Sequence, residues 1–510
     1  MCISYRRKNN NMTNTNFFSN QDKKVFILKM ESQIDRGALL SRYSRTSNLD
    51  IRDLYKKEFE ENPERGKKFY ERVFLEYGDE SVAELVTVQL GIQGVSNIVT
   101  KIIEEARVGL SYLEKSSRYV SYEKKLKGKY LYLNFDETGI DKKFESRYNH
   151  LMDSFFELYS FGIPIIEKAI RKDYPETLFN INGQESALKA YNTSIRSRTM
   201  DEIRSVLPAA TVTNLGISGN IRAFIYLIQR LDSSGLPEAI SLSNTLYEEL
   251  FSEFENLIKS ARDKYGTVNS QYLKKFKNTE QSGKFQTSTE SSNEIKVELL
   301  DYTNEPAGKI ADIFKFSMGN PTQTHREEII KKIGELRQNR RNKIPREFEF
   351  INLSYRVTIN YGAFRELQRH RFLSIIRKSL NPSLGYYIPE YIRNNEQIYS
   401  KLENLLNEAE TLFSDIQNEY GGEIAQYILP YCTNYEILIH TNLRELVYFS
   451  ELRSTPQSHP DLRELSIEMV DTFLEKEKEF EPLFKFMDRG VYPIGRFFQE
   501  YSKEEKIKKL

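Results

Sequence analysis

Apolar positions recur along this chain with two periods, near 3.6 and near 2, and the switches between them mark its elements. VFIL (25–28) is a short apolar run and a strand candidate. Residues 52–78 read as helices broken around Pro63. SVAELVTVQLGIQG (81–94) shows β-branched alternation ending in Gly, which predicts a strand. Val95, Ile98, Val99, Ile102, Ile103 and Ala106 then take up helical spacing. A long helical stretch with breaks is expected over 145–260. Residues 274–296 are almost free of aliphatics and rich in Ser, Thr, Lys, Asn and Gln, the best linker in the chain. Beyond it, 348–362 predicts a strand, 362–374 a helix followed by a turn, and 401–421 a long helix. The segments 427–453 and 461–484 complete the pattern. The domain plan expected is a disordered lead over 1–24, one domain over 25–273, the linker 274–296, and a second domain over 297–500.

Length supports that plan, because 510 residues exceed what one hydrophobic core usually organises. A 39% hydrophobic and 29% charged composition suits a globular protein. Lys+Arg 74 against Asp+Glu 73 leaves a net charge of +1, which calls for neither nucleic acid nor an anionic membrane as partner. Any anion site must then be a local cluster. Cys2 and Cys432 alone exclude a disulfide framework and make a cytoplasmic location the simplest expectation. No run of about 18 apolar residues predicts a membrane span. His150, His325, His440 and His459 show no metal-ligand spacing, so no metal site is expected.

The two halves echo one another. Leu207-Pro208 is followed by Asn220-Ile221-Arg222, and Leu429-Pro430 by Asn442-Leu443-Arg444. The fixed order of these echoes points to a duplicated and fused unit.

Two motif fragments carry a family resemblance. The back half contains RHRFLSIIRKSLNP, with Arg369, His370, Arg371, Ser374 and Ser379. The front half contains ARVGLSYLEKSSRY, with Ser111, Glu114, Ser116, Arg118 and Tyr119. Together they resemble the Arg-His-Arg, Ser, Asn-Glu, Ser, Arg-Tyr pattern of flavin-dependent thymidylate synthases, its front surviving in one half and its back in the other. Leu113 and Ile376 stand in place of the motif Asn, and Ala106-Arg107-Val108 in place of Arg-His-Arg. GDESVAEL (78–85) is similar to a further family segment, with Asp79 and Leu85 replacing its two His. NLRELVYFSELR (442–453) is similar to the family's late helix.

The resemblance implies an α/β (α+β) fold of two tandem domains, each a mainly antiparallel sheet flanked by helices. It implies one composite site per chain, at the boundary of the halves, the mirror-related site having decayed. Glu114, Ser116, Arg118, Arg369 and Arg453 would bind the substrate, with Arg369 and Arg453 also catalytic. His370, Arg371, Asn442, Arg444 and Ser81 would contact the flavin. The implied reaction is reductive methylation of dUMP to dTMP, with FAD as cofactor and methylenetetrahydrofolate and NADPH as co-substrates. Family tetramers would translate into a homodimer of fused pairs. The rival expectations are a catalytically silent paralogue that binds nucleotide or flavin as a regulator or scaffold, and a flavin-dependent methyl transfer to tRNA uracil. The near-neutral charge argues against the latter.

The residues support parts of this without the family. Arg369, His370 and Arg371, taken as consecutive helical residues, would point about 100° apart and serve two ligands meeting at a boundary. They read equally as a solvated basic helix end. Glu114, Ser116 and Arg118 alternate, so an extended or turn segment aims them the same way; a surface loop is the competing reading. Asn442 and Arg453 are spaced by about three helical turns and so lie near one face, though Arg453 also suits a helix C-terminus. Leu231 holds the corresponding place in the front half, and Arg230 is turned away from it. Cysteine-dependent thymidylate synthases attack the pyrimidine with a thiol. Cys432 lacks the surrounding pattern for that role and reads as a buried structural thiol.

Overall fold

The computed structural model describes residues 17–281, 294–318 and 326–508, apart from 48–49, 61, 63, 78–79, 180, 182–183 and 493. Its strands fall into two antiparallel sheets. The front sheet has β1 (Thr87–Ser96), β2 (Leu110–Glu114) and β3 (Val212–Asn220), ordered β1-β3-β2. The back sheet has β4 (Lys296–Tyr302), β5 (Asn352–Asn360), β6 (Ser374–Arg377) and β7 (Asn434–Asn442), ordered β4-β5-β7-β6. Helices flank both sheets, so the architecture is α+β.

The last residue of four strands caps the helix that follows. Ser96, Asn220, Asn360 and Asn442 each accept a backbone N–H three residues on, satisfying a donor that the first helical turn leaves open. These caps fix the helices Asn97–Glu104, Ile221–Asp232, Tyr361–Leu367 and Leu443–Arg453.

The halves meet about an approximate twofold axis. Ala209 N–H donates to the Leu429 carbonyl (2.8 Å) and Tyr431 N–H to that of Leu207 (2.9 Å). Ala210 N–H donates to Tyr427 and Cys432 N–H to Ser205, each at 2.8 Å. Both exchanges are reciprocal, and the shift along the chain that relates their members also carries β3 onto β7. A third exchange lies across the same axis: Arg371 donates to the Leu110 carbonyl (2.6 Å), and Arg107 to that of Leu373 (2.5 Å). One apolar core runs through both halves, and Tyr427, Leu429 and Tyr431 are buried within it.

Several expectations change. The stretch 145–260 is not helical throughout, because β3 interrupts it. Glycine serves β3 by close approach: a Cβ on Gly219 would lie 2.3 Å from Leu110 Cδ2 and 2.5 Å from the Gly109 carbonyl. VFIL makes no strand; one bridge, Phe18 with Leu28, is all that forms, and Val25 and Ile27 point to solvent. The expected lead is structured from residue 17, where Phe18 is buried and packs edge-on against Tyr55; residues 1–16 lie outside the described residues. Residues 274–281 of the expected linker extend the helix Lys264–Gln281, and 282–293 lie outside the described residues. Among the described residues no helix is long and apolar enough to cross a membrane.

Candidate active site

Glu114, the last residue of β2, projects into the boundary between the halves with its side chain fully buried. A buried carboxylate persists only if cations meet it. Two come from the back half: Arg365 at 2.6 Å and Arg369 at 3.2 Å. Lys101, from the front-half helix Asn97–Glu104, lies 3.6 Å away and is shared with Glu104 at 2.5 Å. Burial pushes the Glu114 carboxyl up, but Arg365, Lys101 and Arg369 outweigh it and hold the group well below the usual range.

Past Glu114 the chain brings Arg118 into the same boundary. Its Nε and Nη2 grip the Asp201 carboxylate at 2.6 and 2.7 Å, a bidentate pair. Against its burial, Arg118 draws the Asp201 carboxyl down to about 2. Glu366 of the back half sits between Arg118 (3.4 Å) and Arg204 (3.0 Å). Ser116 Oγ accepts the Arg118 backbone N–H at 3.3 Å, closing the turn that aims the guanidinium.

Arg369, His370 and Arg371 are not helical. The helix stops at Leu367 and the three follow in a turn, where each takes its own direction. Arg369 faces Glu114 and stays 39% exposed at the side chain. Arg371 reaches the Leu110 carbonyl and Ser111 Oγ (3.2 Å), tying the turn to β2. His370 is buried edge-on against Phe449, and its Nε2 accepts from Arg453 Nε at 2.6 Å. Burial and the Arg453 charge push this imidazole down to about 3, so it is neutral and able to accept. Arg453 ends the helix Leu443–Arg453, and its Nη2 also reaches the Glu366 carbonyl at 3.4 Å.

The structure thus brings Glu114, Ser116 and Arg118 of the front half against Arg369, His370 and Arg453 of the back half. Asn442 uses its side chain to cap the Glu445 N–H. Arg444 spends its guanidinium on Glu349 (2.7 Å) and the Ile344 carbonyl (2.8 Å). Ser81 falls in the short helix Glu80–Leu85, but its side chain lies outside what is described, as do Gly78, Asp79 and His325. Cys432 is buried, and desolvation pushes its thiol up.

Five residues of the cluster escape motif reading: Lys101, Asp201, Arg204, Arg365 and Glu366. The signal that could have found them was their crowding. Arg365 and Glu366 closely precede the Arg-His-Arg run, and Asp201 and Arg204 closely precede Leu207-Pro208.

Across the twofold the same positions form a different site. Glu114 pairs in register with Leu215 of β3, and Arg377 with Ile437, the counterpart of Leu215 in β7. Arg377 therefore replaces a carboxylate with a guanidinium. It binds Glu105, which also holds Arg230 at 2.9 Å. Ser379 and Asn381 take the places of Ser116 and Arg118, and Leu231 that of Arg453. This mirror cleft is open, with a volume of about 1420 Å³.

The thymidylate synthase complementing protein family matches residues 30–254 and 298–477, one segment in each half. A UPF0159 protein of Thermoplasma acidophilum is 41% identical over 504 residues, 93% of this chain and 99% of that relative. A UPF0159 protein of Chlamydia muridarum is 32% identical over 523 residues, 95% of this chain and 96% of the relative. A flavin-dependent thymidylate synthase of Thermococcus onnurineus is 25% identical over 214 residues, 38% of this chain and 85% of that protein.

Proposed function

Because the chain belongs to the thymidylate synthase complementing protein family, we propose that it converts dUMP to dTMP at the composite cleft. Methylenetetrahydrofolate is the carbon donor, NADPH the reductant and FAD the bound cofactor. The observation that carries this reading is the charge of the cluster at the boundary of the halves. Lys101, Arg118, Arg204, Arg365, Arg369 and Arg453 face Glu104, Glu114, Asp201 and Glu366. Six cations against four carboxylates leave the charge that a phosphate monoester dianion would balance.

The residues present also fit a flavin. Leu113, which replaces the motif Asn beside Glu114, is 77% exposed, so its side chain is turned to solvent and leaves the boundary open there. Arg369 and Arg371 offer exposed guanidiniums at its mouth, beside the exposed ring of Phe372. A bound flavin supplies the reducing equivalents, which no side chain here can provide.

The protein's part is binding and electrostatics. Arg118, positioned by the Ser116 turn, and Arg204 take the phosphate end, with Asp201 and Glu366 keeping both guanidiniums oriented. Arg453 and Arg369 stabilise charge developing on the uracil carbonyls. Neutral His370 fixes the Arg453 side chain by accepting its Nε–H. Glu114 holds Arg369 across the boundary, so the site requires both halves of the chain.

One observation favours the silent-paralogue reading. Asp201 already engages Arg118 in two hydrogen bonds, and an incoming phosphate must compete with it. Expression in a thymidine auxotroph separates the two. Growth without thymidine, lost on Arg453→Gln, supports turnover. No growth from well-expressed protein whose bound flavin nevertheless responds spectrally to dUMP establishes the silent reading.

A further inference from the structure

The mirror cleft is remodelled rather than filled. A site that merely decayed would be expected to close by apolar repacking, yet a cavity of about 1420 Å³ remains. Charged side chains line it, and most of them are already matched. Glu104 is held by Lys101, Glu436 by Lys378, and Arg356 by Glu298. Glu423 accepts from Ser379 and Gln426. What remains is Arg107, Arg230, Lys277 and Arg377, four cations facing the three carboxylates of Glu105, Glu410 and Glu423. Arg230 and Arg377 share the single carboxylate of Glu105. Arg107 donates to the carbonyls of Arg371 and Leu373 and to Ser374 Oγ, neutral acceptors all. Burial pushes the Lys277 ammonium down; Glu105 and Glu423 oppose that shift, and Arg377 and Arg230 add to it.

Two further features point to a ligand. Gln368 is 5% exposed and lines the cleft; its Nε2 donates to the Lys101 carbonyl, while its Oε1 is buried with no hydrogen-bond partner among the described residues. A buried acceptor left open in this way needs a donor. Ile98, Ile102, Phe413 and Leu438 add an apolar lining beside the cations. Cations, an open amide acceptor and apolar side chains in one cleft are the elements that hold a phosphate, a base edge and a ring face.

We propose that the mirror cleft is a second ligand site, taking a phosphorylated nucleoside whose phosphate displaces the shared hold of Arg230 and Arg377 on Glu105. The site is non-catalytic for the reaction above, since Arg377 and Leu231 occupy the places of Glu114 and Arg453. It stands independently of the dUMP reading, because none of its four cations belongs to the composite cleft.

Calorimetric titration of the full chain with AMP and with inorganic pyrophosphate tests this. Each probe is expected to bind once per chain, and the two to compete. Lys277→Gln and Arg230→Gln should each weaken binding by about tenfold or more, as expected for loss of a charge-assisted contact. Arg453→Gln, in the composite cleft, should leave the affinity unchanged. Lys277 lies on a half-exposed helix face, so its substitution tests the site without threatening the fold. Absence of binding for both probes at millimolar concentration overturns the proposal. So does an affinity that follows Arg453 and ignores Lys277.

Discussion

Replacing Glu114 by Gln should destabilise the whole chain, and the cost should be shared with Arg365. Glu114 is fully buried and is the common partner of Arg365, Arg369 and Lys101, two of which are themselves nearly or fully buried. Removing one member of a buried ion pair leaves the other uncompensated, at a cost of about 3–5 kcal/mol. Unfolding entropy of about 2.1 cal/mol/K per residue gives roughly 1.1 kcal/mol/K for 510 residues melting as one unit, hence a drop of about 3–5 °C in Tm. If the halves melted separately, the drop would be about twice that. Arg365→Gln should cost a similar amount, since it strands the carboxylate instead. The double variant should cost clearly less than the sum, with a coupling of about 2–3 kcal/mol. Scanning calorimetry of the four chains closes the cycle. If the two costs simply added, to within about 0.5 kcal/mol as for sites that share no contact, Glu114 and Arg365 would not feel one another. The account of the halves locked by one buried network would then fall.

Three further outcomes follow from single groups. Arg453→Gln should lower turnover by about a hundredfold or more, measured as dTMP formed per chain, because it removes a donor aimed at developing charge. Glu238 accepts from Ser96 N–H, Ser96 Oγ and Tyr427 OH, and burial pushes its carboxyl up to about 7. Its folded value lies above the unfolded one, so its stabilising contribution is complete below about pH 4.5 and fades as pH rises through 7, a swing of about 3 kcal/mol. Glu238→Gln should flatten that slope in urea melts run from pH 4 to 8; an unchanged slope rejects the assignment. In a Cys2→Ser chain, Cys432 should resist aromatic disulfide reagents until denaturant is added, and Cys432→Ala should still support growth of the auxotroph. Loss of growth with an intact fold would revive the thiol as nucleophile.

What could be read in advance follows from how far each signal extends along the chain. Glu114, Ser116 and Arg118 were legible because they fall within a few residues of one another, Glu114 closing β2 and the other two in the turn that follows it. Asn442 was read as a flavin contact, and the structure gives its side chain to the cap of the helix it opens. β3 was missed because Gly216 and Gly219 break its pattern, and the reason for Gly219 is contact with β2, far earlier in the chain. Arg365 and Glu366 looked like ordinary helix charges, since only the tertiary structure shows that their helix is buried on every side. The mirror cleft was least legible. Glu105, Arg230, Lys277 and Arg377 come from four distant segments, and each alone resembles a solvated surface residue.

Fusion of the halves explains how such a pair of clefts can arise. In a symmetric dimer of one repeat, any substitution appears on both sides of the axis, so a Glu→Arg exchange at the position of Glu114 would alter both sites together. Within one chain the two positions vary separately. They cannot vary alone, however, because a buried charge without its counter-ion is worth several kcal/mol of instability. The substitutions at the mirror cleft obey that constraint. Arg377 stands where the composite cleft has Glu114, and Glu105 where it has Gln368, so the new guanidinium meets a new carboxylate. Ala106 meanwhile replaces the position of Arg369, removing a cation that would now have repelled Arg377. Three positions on two elements differ between the clefts in a mutually compensating way. Drift without selection for a folded cleft whose buried charges each meet a partner would have no reason to coordinate them.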